Sequence, residues 1–381
     1  THGARRASSL CPYTRSLPAV QLEPDSRPSH RNHGGSVRDR RAPDGIDEQR
    51  VGAWLIEHVA HATPPFRYEL ITGGRSNLTY LVTDGGGRRL VLRRPPLGTL
   101  LATAHDVVRE YRIAAALAGT PVPVAPALAV CDDDSVNGAP FAMTGYVDGI
   151  VLHGPDMAAG MDAGARRATA FHLIDVLADL HAVDLNAVGL ADLSRQDSYI
   201  ERQVRRWGKQ WDGSRTRDLP IIDEVENRLL GHVPPQRETT LVHGDYRFGN
   251  CIVDPAKREV VAVLDWELCT LGDPLADLGH LGIYWRDPER PLPLANDPTS
   301  GGGFPPFRDL LQRYTARTGR DVARIEYYRG FAAWRLAVIA EGVASRHLKR
   351  HPEDTAALEA SRSAVEQLAE FALASLDRPA T

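Results

Sequence analysis

A histidine, two aspartates and an asparagine between residues 243 and 265 have the side chains and the spacing needed to move a phosphoryl group. Asp245 ends the tripeptide His243-Gly244-Asp245, Asn250 follows it by five residues, and Asp265 follows Asn250 by fifteen. Phosphoryl transfer needs one carboxylate to orient the attacking hydroxyl, with an amide and a second carboxylate to hold magnesium. We therefore predict that Asp245 and Asn250 act in catalysis and that Asn250 and Asp265 bind Mg²⁺.

This segment resembles the catalytic segment of the aminoglycoside phosphotransferase-like branch of the protein-kinase fold. The family pattern continues with Asp-Trp/Phe-Glu and then Gly-Asp-Pro…Asp-Leu, which stand here at 265–267 and 272–278. The resemblance implies a phosphotransferase that uses ATP and Mg²⁺. It also implies that Asp277 braces the loop backbone, although Asp277 could instead cap a helix. We predict that His243 orients the catalytic loop by hydrogen bonding. Glu267 either joins the metal shell or lies on the surface.

The elements around these residues follow from apolar periodicity and turn residues. One helical pattern begins at Asp44 and a second covers residues 105–118. Beyond Gly149 most of the chain has helical periodicity. The later helices are predicted over 165–183, 199–211, 321–347 and 355–376, and the strands over 68–71, 78–83, 88–94, 127–131, 141–146, 240–242, 251–253 and 260–264.

This order predicts an α+β, two-lobed, protein-kinase-like fold. A small β-rich lobe with one helix, residues 43–148, would bind the nucleotide, and a larger, mostly helical lobe, residues 149–381, would carry catalysis and the substrate. Residues 1–42 are rich in Arg, Ser, Pro and Gly and are predicted to be a disordered extension.

The nucleotide half of the site begins with a glycine-bearing turn between two strands. Gly73, Gly74, Ser76 and Asn77 stand where backbone N–H groups could approach phosphates, although such a turn alone is often only a hairpin. The resemblance implies a phosphate loop at this point, commonly ending in Ser-Asn.

Arg93 stands where a kinase-like lobe normally carries the lysine of its third strand, which pairs with a glutamate of the next helix. The chain has only three lysines, and none precedes Lys209. An arginine stays charged and can bind phosphate oxygens with two N–H groups. Glu110 falls within the apolar arc of the predicted helix and needs a cationic partner; we predict that this partner is Arg93.

Residues 143–149 resemble the connector between the two lobes, where backbone groups pair with an adenine edge. Met143, Gly145 and Tyr146 are therefore predicted to contact the nucleotide.

The composition excludes several classes of protein. The net charge of −4 and the pI near 6.4 do not favour a nucleic-acid or anionic-membrane partner. No apolar run is long enough to cross a bilayer. The four cysteines are scattered and form no C-x-x-C pair, so we expect a reducing, cytoplasmic setting.

The substrate is predicted to be a small molecule with a hydroxyl group. Residues 90–96 and 264–278 are most similar to the kinase domain joined to acyl-CoA dehydrogenases ten and eleven in animals and to its free-standing bacterial relatives. That resemblance covers roughly 47–350 and implies a hydroxyacyl-CoA substrate. The residues that would suit an anionic ligand with an apolar part, or be solvated, are Arg202, Arg205, Arg206, Trp207, Trp211, Arg335 and Arg346.

Three other functions stay open. An antibiotic (aminoglycoside or macrolide) or amino-alcohol kinase would use the same catalytic residues. A nucleotide-binding regulator without catalysis is favoured only by Arg93. A protein kinase is least favoured, because Gly272 follows Asp265 by seven residues and leaves little room for a peptide-docking loop. The sequence leaves the oligomeric state open.

Overall fold

The computed structural model describes residues 43–71, 77–97, 106–193, 198–288, 292, 297–351 and 353–378. The extension predicted for residues 1–42 lies outside this part of the chain. Within it, no helix is both long enough and apolar enough to span a membrane.

The first part of the chain builds a five-stranded antiparallel sheet. Its spatial order is β1-β2-β3-β5-β4. The strands are β1 (Arg67–Leu70), β2 (Leu78–Thr83), β3 (Arg89–Arg94), β4 (Ala127–Cys131) and β5 (Phe141–Gly145). Alternate residues such as Tyr80, Val82, Leu90 and Leu92 are fully or almost fully buried, as expected for strands with one face on a core.

Three helices accompany this sheet. Helix α1 (Glu48–His58) packs Val51 and Leu55 on the sheet core. Helix α2 (Val107–Leu117) begins at Asp106, whose side chain caps the Arg109 N–H. Helix α3 (Asp134–Asn137) is a single helical turn.

The rest of the chain is largely helical around a second, larger core. Its helices are α4 (Ala163–Leu180), α5 (Tyr199–Ser214), α6 (Pro220–Gly231), α7 (Leu275–Ile283), α8 (Phe307–Thr318), α9 (Ile325–Arg350) and α10 (Thr355–Leu376). The sequence patterns located α4, α5, α9 and α10 but not α6, α7 or α8.

Five short strands hold the segment with the predicted catalytic residues. They are β6 (Ile150–Val151), β7 (Thr240–Val242), β8 (Cys251–Asp254), β9 (Glu259–Val263) and β10 (Thr270–Gly272). Strand β8 lies between β6 and β9, and β7 pairs with β10. The loop 243–250 thus joins β7 to β8, and the loop 264–269 joins β9 to β10. These pairings bring both loops to one place.

The α+β order of a sheet followed by helices is confirmed. We propose that the two lobes divide at residues 148 and 149, between β5 of the first sheet and β6, which pairs with β8.

Candidate active site

A carboxylate of α7 holds the backbone of the loop 243–250 by hydrogen bonds. Asp277 accepts the His243 N–H at 2.6 Å and the Gly244 N–H at 2.7 Å. Gly244 has φ +85°, and a Cβ there would lie 2.8 Å from the carbonyl oxygen of Leu268. Only glycine fits this conformation and this space without strain. The bracing contact expected for Asp277 is present.

His243 ties the same loop to the end of β9. Its side chain is completely buried. Nε2 lies 2.9 Å from the carbonyl oxygen of Leu264, and the Asp245 N–H donates to Nδ1 over 3.2 Å. Since Nδ1 accepts, Nε2 carries the proton and donates to Leu264. These bonds fit the predicted loop-orienting role.

The Asp245 carboxylate is held from two sides. Asn250 Nδ2 donates to Oδ2 at 2.7 Å and to the Asp245 carbonyl at 2.8 Å. His280 Nε2 lies 2.6 Å from Oδ1. Burial alone would raise the pKa of Asp245, but the hydrogen bond from His280 and the charges of Arg247 and Arg335 bring it below its ordinary value. Asp245 is therefore a carboxylate at neutral pH.

The predicted magnesium ligands have chemistry that suits that ion. Both hydrogen bonds of the Asn250 amide use Nδ2, which leaves the amide oxygen directed away from Asp245. The Asn250 carbonyl accepts the Leu264 N–H at 2.8 Å, which places Asp265 beside it. Magnesium is often held by one or two protein oxygens plus substrate phosphates. Among the described residues no group of three His, Cys, Asp or Glu side chains could hold a metal ion.

Asp265 has φ 65° and starts the 3₁₀ turn Trp266–Leu268, which contains Glu267. Arg93 Nη2 donates to Asp265 Oδ1 at 2.5 Å. The contact joins residues 172 positions apart, one from the sheet and one from the helical part. Arg93 therefore lies beside the predicted metal ligand.

Glu110 pairs with Arg93, as predicted. Arg93 Nε is 3.2 Å from Glu110 Oε2, and Asn77 Nδ2 donates to Oε1 at 2.9 Å. Burial raises the pKa of Glu110 to about 7, although Arg93 and Asn77 oppose the shift. The amide of Asn77 is thus directed to α2 rather than to an open surface.

The remaining nucleotide predictions have mixed placements. Gly73, Gly74 and Ser76 lie outside the described residues. Met143 is completely buried in the sheet core, so its side chain lines no open surface. Gly145 donates its N–H to Pro126 at 2.8 Å, and the Tyr146 ring lies 4.2 Å from the Arg89 guanidinium. Nucleotide contacts at these positions remain predictions.

The proposed basic and aromatic surface for an anionic ligand does not form as expected. Trp207 is 8% exposed and Trp211 1%, because both belong to the core of the helical part. Arg205 pairs with Glu201 one turn earlier on α5. Arg335 is 6% exposed and is directed inward, whereas Arg346 is exposed.

The sequence reasoning did not name His280 or Arg247, and it considered Arg335 only as a residue for an anionic ligand. Arg335 and His280 bond to the catalytic loop, and Arg247 Nε lies 3.7 Å from Asp245 Oδ1. A signal existed for His280, because it follows Asp277 by three residues and therefore shares its face of a helix. No spacing rule links Arg335 to a loop some ninety residues earlier.

Comparison with known proteins defines the class. The sequence model of the phosphotransferase enzyme family matches residues 67–310. The chain belongs to that family. A crystal structure of a candidate aminoglycoside phosphotransferase from Ralstonia eutropha JMP134 is similar, with 34% identity, a TM-score of 0.72, and coverage of 86% of this chain and 98% of that one. The similarity confirms the predicted kinase-like α+β fold.

Two curated animal proteins are also similar. Acyl-CoA dehydrogenase family member 10 of Mus musculus is 36% identical over 316 residues, which are 82% of this chain and 29% of that protein. Acyl-CoA dehydrogenase family member 11 of Rattus norvegicus is 33% identical over 313 residues, 80% of this chain and 40% of that protein. The chain thus spans less than half the length of these two relatives.

Proposed function

We propose that the protein is an ATP- and Mg²⁺-dependent kinase that phosphorylates a hydroxyl group of a small molecule. The observation that carries this proposal is the geometry of Asp245, an anionic carboxylate held by Asn250 and His280 beside the loop that bears Asp265. In this scheme Asp245 orients the acceptor hydroxyl and takes its proton. Asn250 and Asp265 would hold Mg²⁺, which when bound offsets charge on the phosphates.

Arg93 is proposed to bind phosphate oxygens of the nucleotide. Its guanidinium already lies between two carboxylates, Glu110 and Asp265. When Asp265 binds a cation, the attraction that holds Arg93 to it weakens, and Arg93 becomes available for phosphate. Glu110 would keep the arginine in place during this exchange, supported by Asn77.

For the substrate we propose a hydroxylated acyl-CoA. The similarity to two proteins named as acyl-CoA dehydrogenase family members supports this choice. The second candidate is an antibiotic or amino-alcohol kinase. The similarity to the Ralstonia eutropha protein, named as a candidate aminoglycoside phosphotransferase, supports the antibiotic branch of this alternative. A reducing, cytoplasmic setting is inferred from the buried free thiols of Cys131, Cys251 and Cys269.

The test is nucleotide consumption by the purified protein with Mg²⁺ and either ATP or GTP. The acceptors are 3- and 4-hydroxyacyl-CoAs, aminoglycosides, macrolides and amino alcohols. Asp245→Ala is the inactive variant, and Asp212→Ala, at an exposed position of α5, is its matched control.

We expect turnover with hydroxyacyl-CoA that Asp245→Ala abolishes and Asp212→Ala retains. Turnover only with antibiotics would replace the substrate proposal and keep the kinase. Tight nucleotide binding without turnover on any acceptor would contradict the kinase proposal and favour a nucleotide-binding regulator.

A further inference from the structure

Two buried residues form a chain of hydrogen bonds behind the catalytic carboxylate. His280 on α7 is 3% exposed and Arg335 on α9 is 6% exposed. Arg335 Nη2 lies 2.9 Å from His280 Nδ1, and His280 Nε2 lies 2.6 Å from Asp245 Oδ1. The same Nη2 donates to the Gly244 carbonyl at 2.6 Å. Arg335 of α9 is thus linked through His280 of α7 to one oxygen of the Asp245 carboxylate.

The chemistry of arginine fixes the direction of these bonds. A guanidinium has only donors, so His280 Nδ1 must accept from Arg335. A neutral imidazole that accepts at Nδ1 carries its proton on Nε2, which then donates to Asp245 Oδ1. Because Asn250 donates to Oδ2, each carboxylate oxygen has its own donor. The plane of the carboxylate is therefore defined from both sides.

We propose that His280 and Arg335 are positioning residues for Asp245, an inference that rests on the proposed kinase function. Arg335 sets the tautomer of His280, and His280 sets the orientation of the carboxylate toward the acceptor hydroxyl. Helix α7 then fixes the catalytic loop twice, by Asp277 at the backbone and by His280 at the side chain. Arg335 is thus used inside the protein and not as a ligand for an anionic substrate.

The sharpest test compares two amides at position 280. In His280→Gln the amide nitrogen can take the place of Nε2 and donate to Asp245. In His280→Asn, which is shorter, the amide can reach Arg335 in place of Nδ1 but cannot reach Asp245. We expect His280→Asn to lower kcat about ten- to a hundredfold, the effect of losing a hydrogen bond to a charged group. His280→Gln should stay within about threefold of wild type, on the same scale.

A comparison of kcat with the KM of the acceptor and the Kd of Mg-ATP distinguishes a positioning role from a general loss of structure. Both variants should keep the Kd of Mg-ATP and the KM of the acceptor within about twofold, because the lost bond orients the base and does not bind either ligand. Equal kcat values for His280→Asn and wild type would overturn the inference. So would parallel losses of nucleotide affinity and kcat in both amide variants.

A second readout needs no substrate. In ¹⁵N-histidine-labelled protein, with His280→Gln used to assign the signal, His280 should carry its proton on Nε2 and none on Nδ1. Arg335→Met should remove the preference for the Nε2-protonated tautomer. Arg346→Met, at an exposed position of the same helix, should leave that preference unchanged. A proton on Nδ1 in the wild type would contradict the inference. This outcome is independent of turnover, so a failure of the proposed function and a failure of the inference can be distinguished.

Discussion

At the residue scale, Arg93 lies between Glu110 and Asp265, and we propose that it takes the role of the lysine common in kinase-like lobes. A lysine is a compact point charge, whereas the arginine fork can contact two groups at once. Here Nε faces Glu110 and Nη2 faces Asp265. The fork suits a residue that must stay anchored to one carboxylate while its other end moves to phosphate.

This arrangement predicts that Arg93→Ala weakens Mg-ATP binding by about tenfold or more, the usual value of a lost charge-assisted contact. Isothermal titration calorimetry would measure the Kd. Arg88→Ala, at an exposed position just before β3, is the matched control and should bind like wild type. Unchanged affinity in Arg93→Ala would contradict the assignment.

Asp265→Asn removes the negative charge from the second proposed magnesium ligand and keeps its shape. We expect kcat to fall at least about a hundredfold, as for other losses of charge stabilisation at a reacting group. The concentration of free Mg²⁺ needed for half-maximal activity should rise in titrations at fixed ATP. A wild-type magnesium dependence would show that Asp265 holds no metal.

The sequence predicted the contacts whose residue types and spacing carry chemistry. The Arg93–Glu110 pair and the bracing by Asp277 followed from motifs and a helical wheel, and both contacts are present. His280 and Arg335 could not be placed in this way, because a buried pair on two helices depends on tertiary packing that no short-range pattern encodes. The same limit explains why the burial of two α5 residues was not predicted. Trp207 and Trp211 are of a residue type common in binding surfaces, but they pack into the core.

At the element scale, helix α2 places a carboxyl group with a raised pKa beside Arg93, and this makes stability depend on pH. Burial raises the pKa of Glu110 to about 7, so the folded state holds the proton more tightly than the unfolded chain does. The resulting stabilisation is complete below about pH 4.5, the pKa of an ordinary glutamate, and is lost as pH rises through 7.

Glu110→Gln removes this titration. Wild type should lose stability between pH 5 and pH 8, and the variant should not. The difference in the free energy of unfolding, variant minus wild type, should therefore become more positive by about 2 kcal/mol over this range. Urea unfolding of both proteins at pH 5, 6, 7 and 8 measures the difference. Two parallel curves would mean that Glu110 has an ordinary pKa.

The loop between β7 and β8 depends on the left-handed conformation of Gly244. Gly244→Ala would add a Cβ 2.8 Å from the Leu268 carbonyl oxygen at a φ of +85°. We expect a loss of about 1–3 kcal/mol in the free energy of unfolding, together with a marked loss of kcat. Gly231→Ala, at the end of α6 with open space around it, is the control. Equal stability of the two variants would contradict the strain argument.

Strands and long helices of this chain were predictable because their apolar periodicity is strong. Strands β2 and β4 and helix α10 have the predicted bounds. The bounds of helix α7 were not predicted, because it is short and nearly every residue in it is buried, so it has no polar face to reveal its period. It is nevertheless the element that holds the catalytic loop.

At the scale of the whole molecule, the candidate site is assembled from both parts of the chain. Arg93 comes from the sheet, and Asp245, Asn250 and Asp265 come from loops in the helical part. Helix α2 joins the two, since Arg109 bonds to the carbonyl groups of Glu267 and Cys269. The order of elements indicated this architecture, but the meeting of Arg93 with Asp265 required the folded structure.

The measurement that tests the central claim most directly is mass spectrometry of the acceptor after incubation with Mg-ATP. Wild type and Asp245→Asn, which keeps the shape of the side chain, would be compared at equal nucleotide saturation. We predict that the wild type adds one phosphoryl group to the hydroxyacyl-CoA and that Asp245→Asn binds Mg-ATP equally well but leaves the acceptor unmodified. Phosphorylation by Asp245→Asn at the wild-type rate would contradict the account.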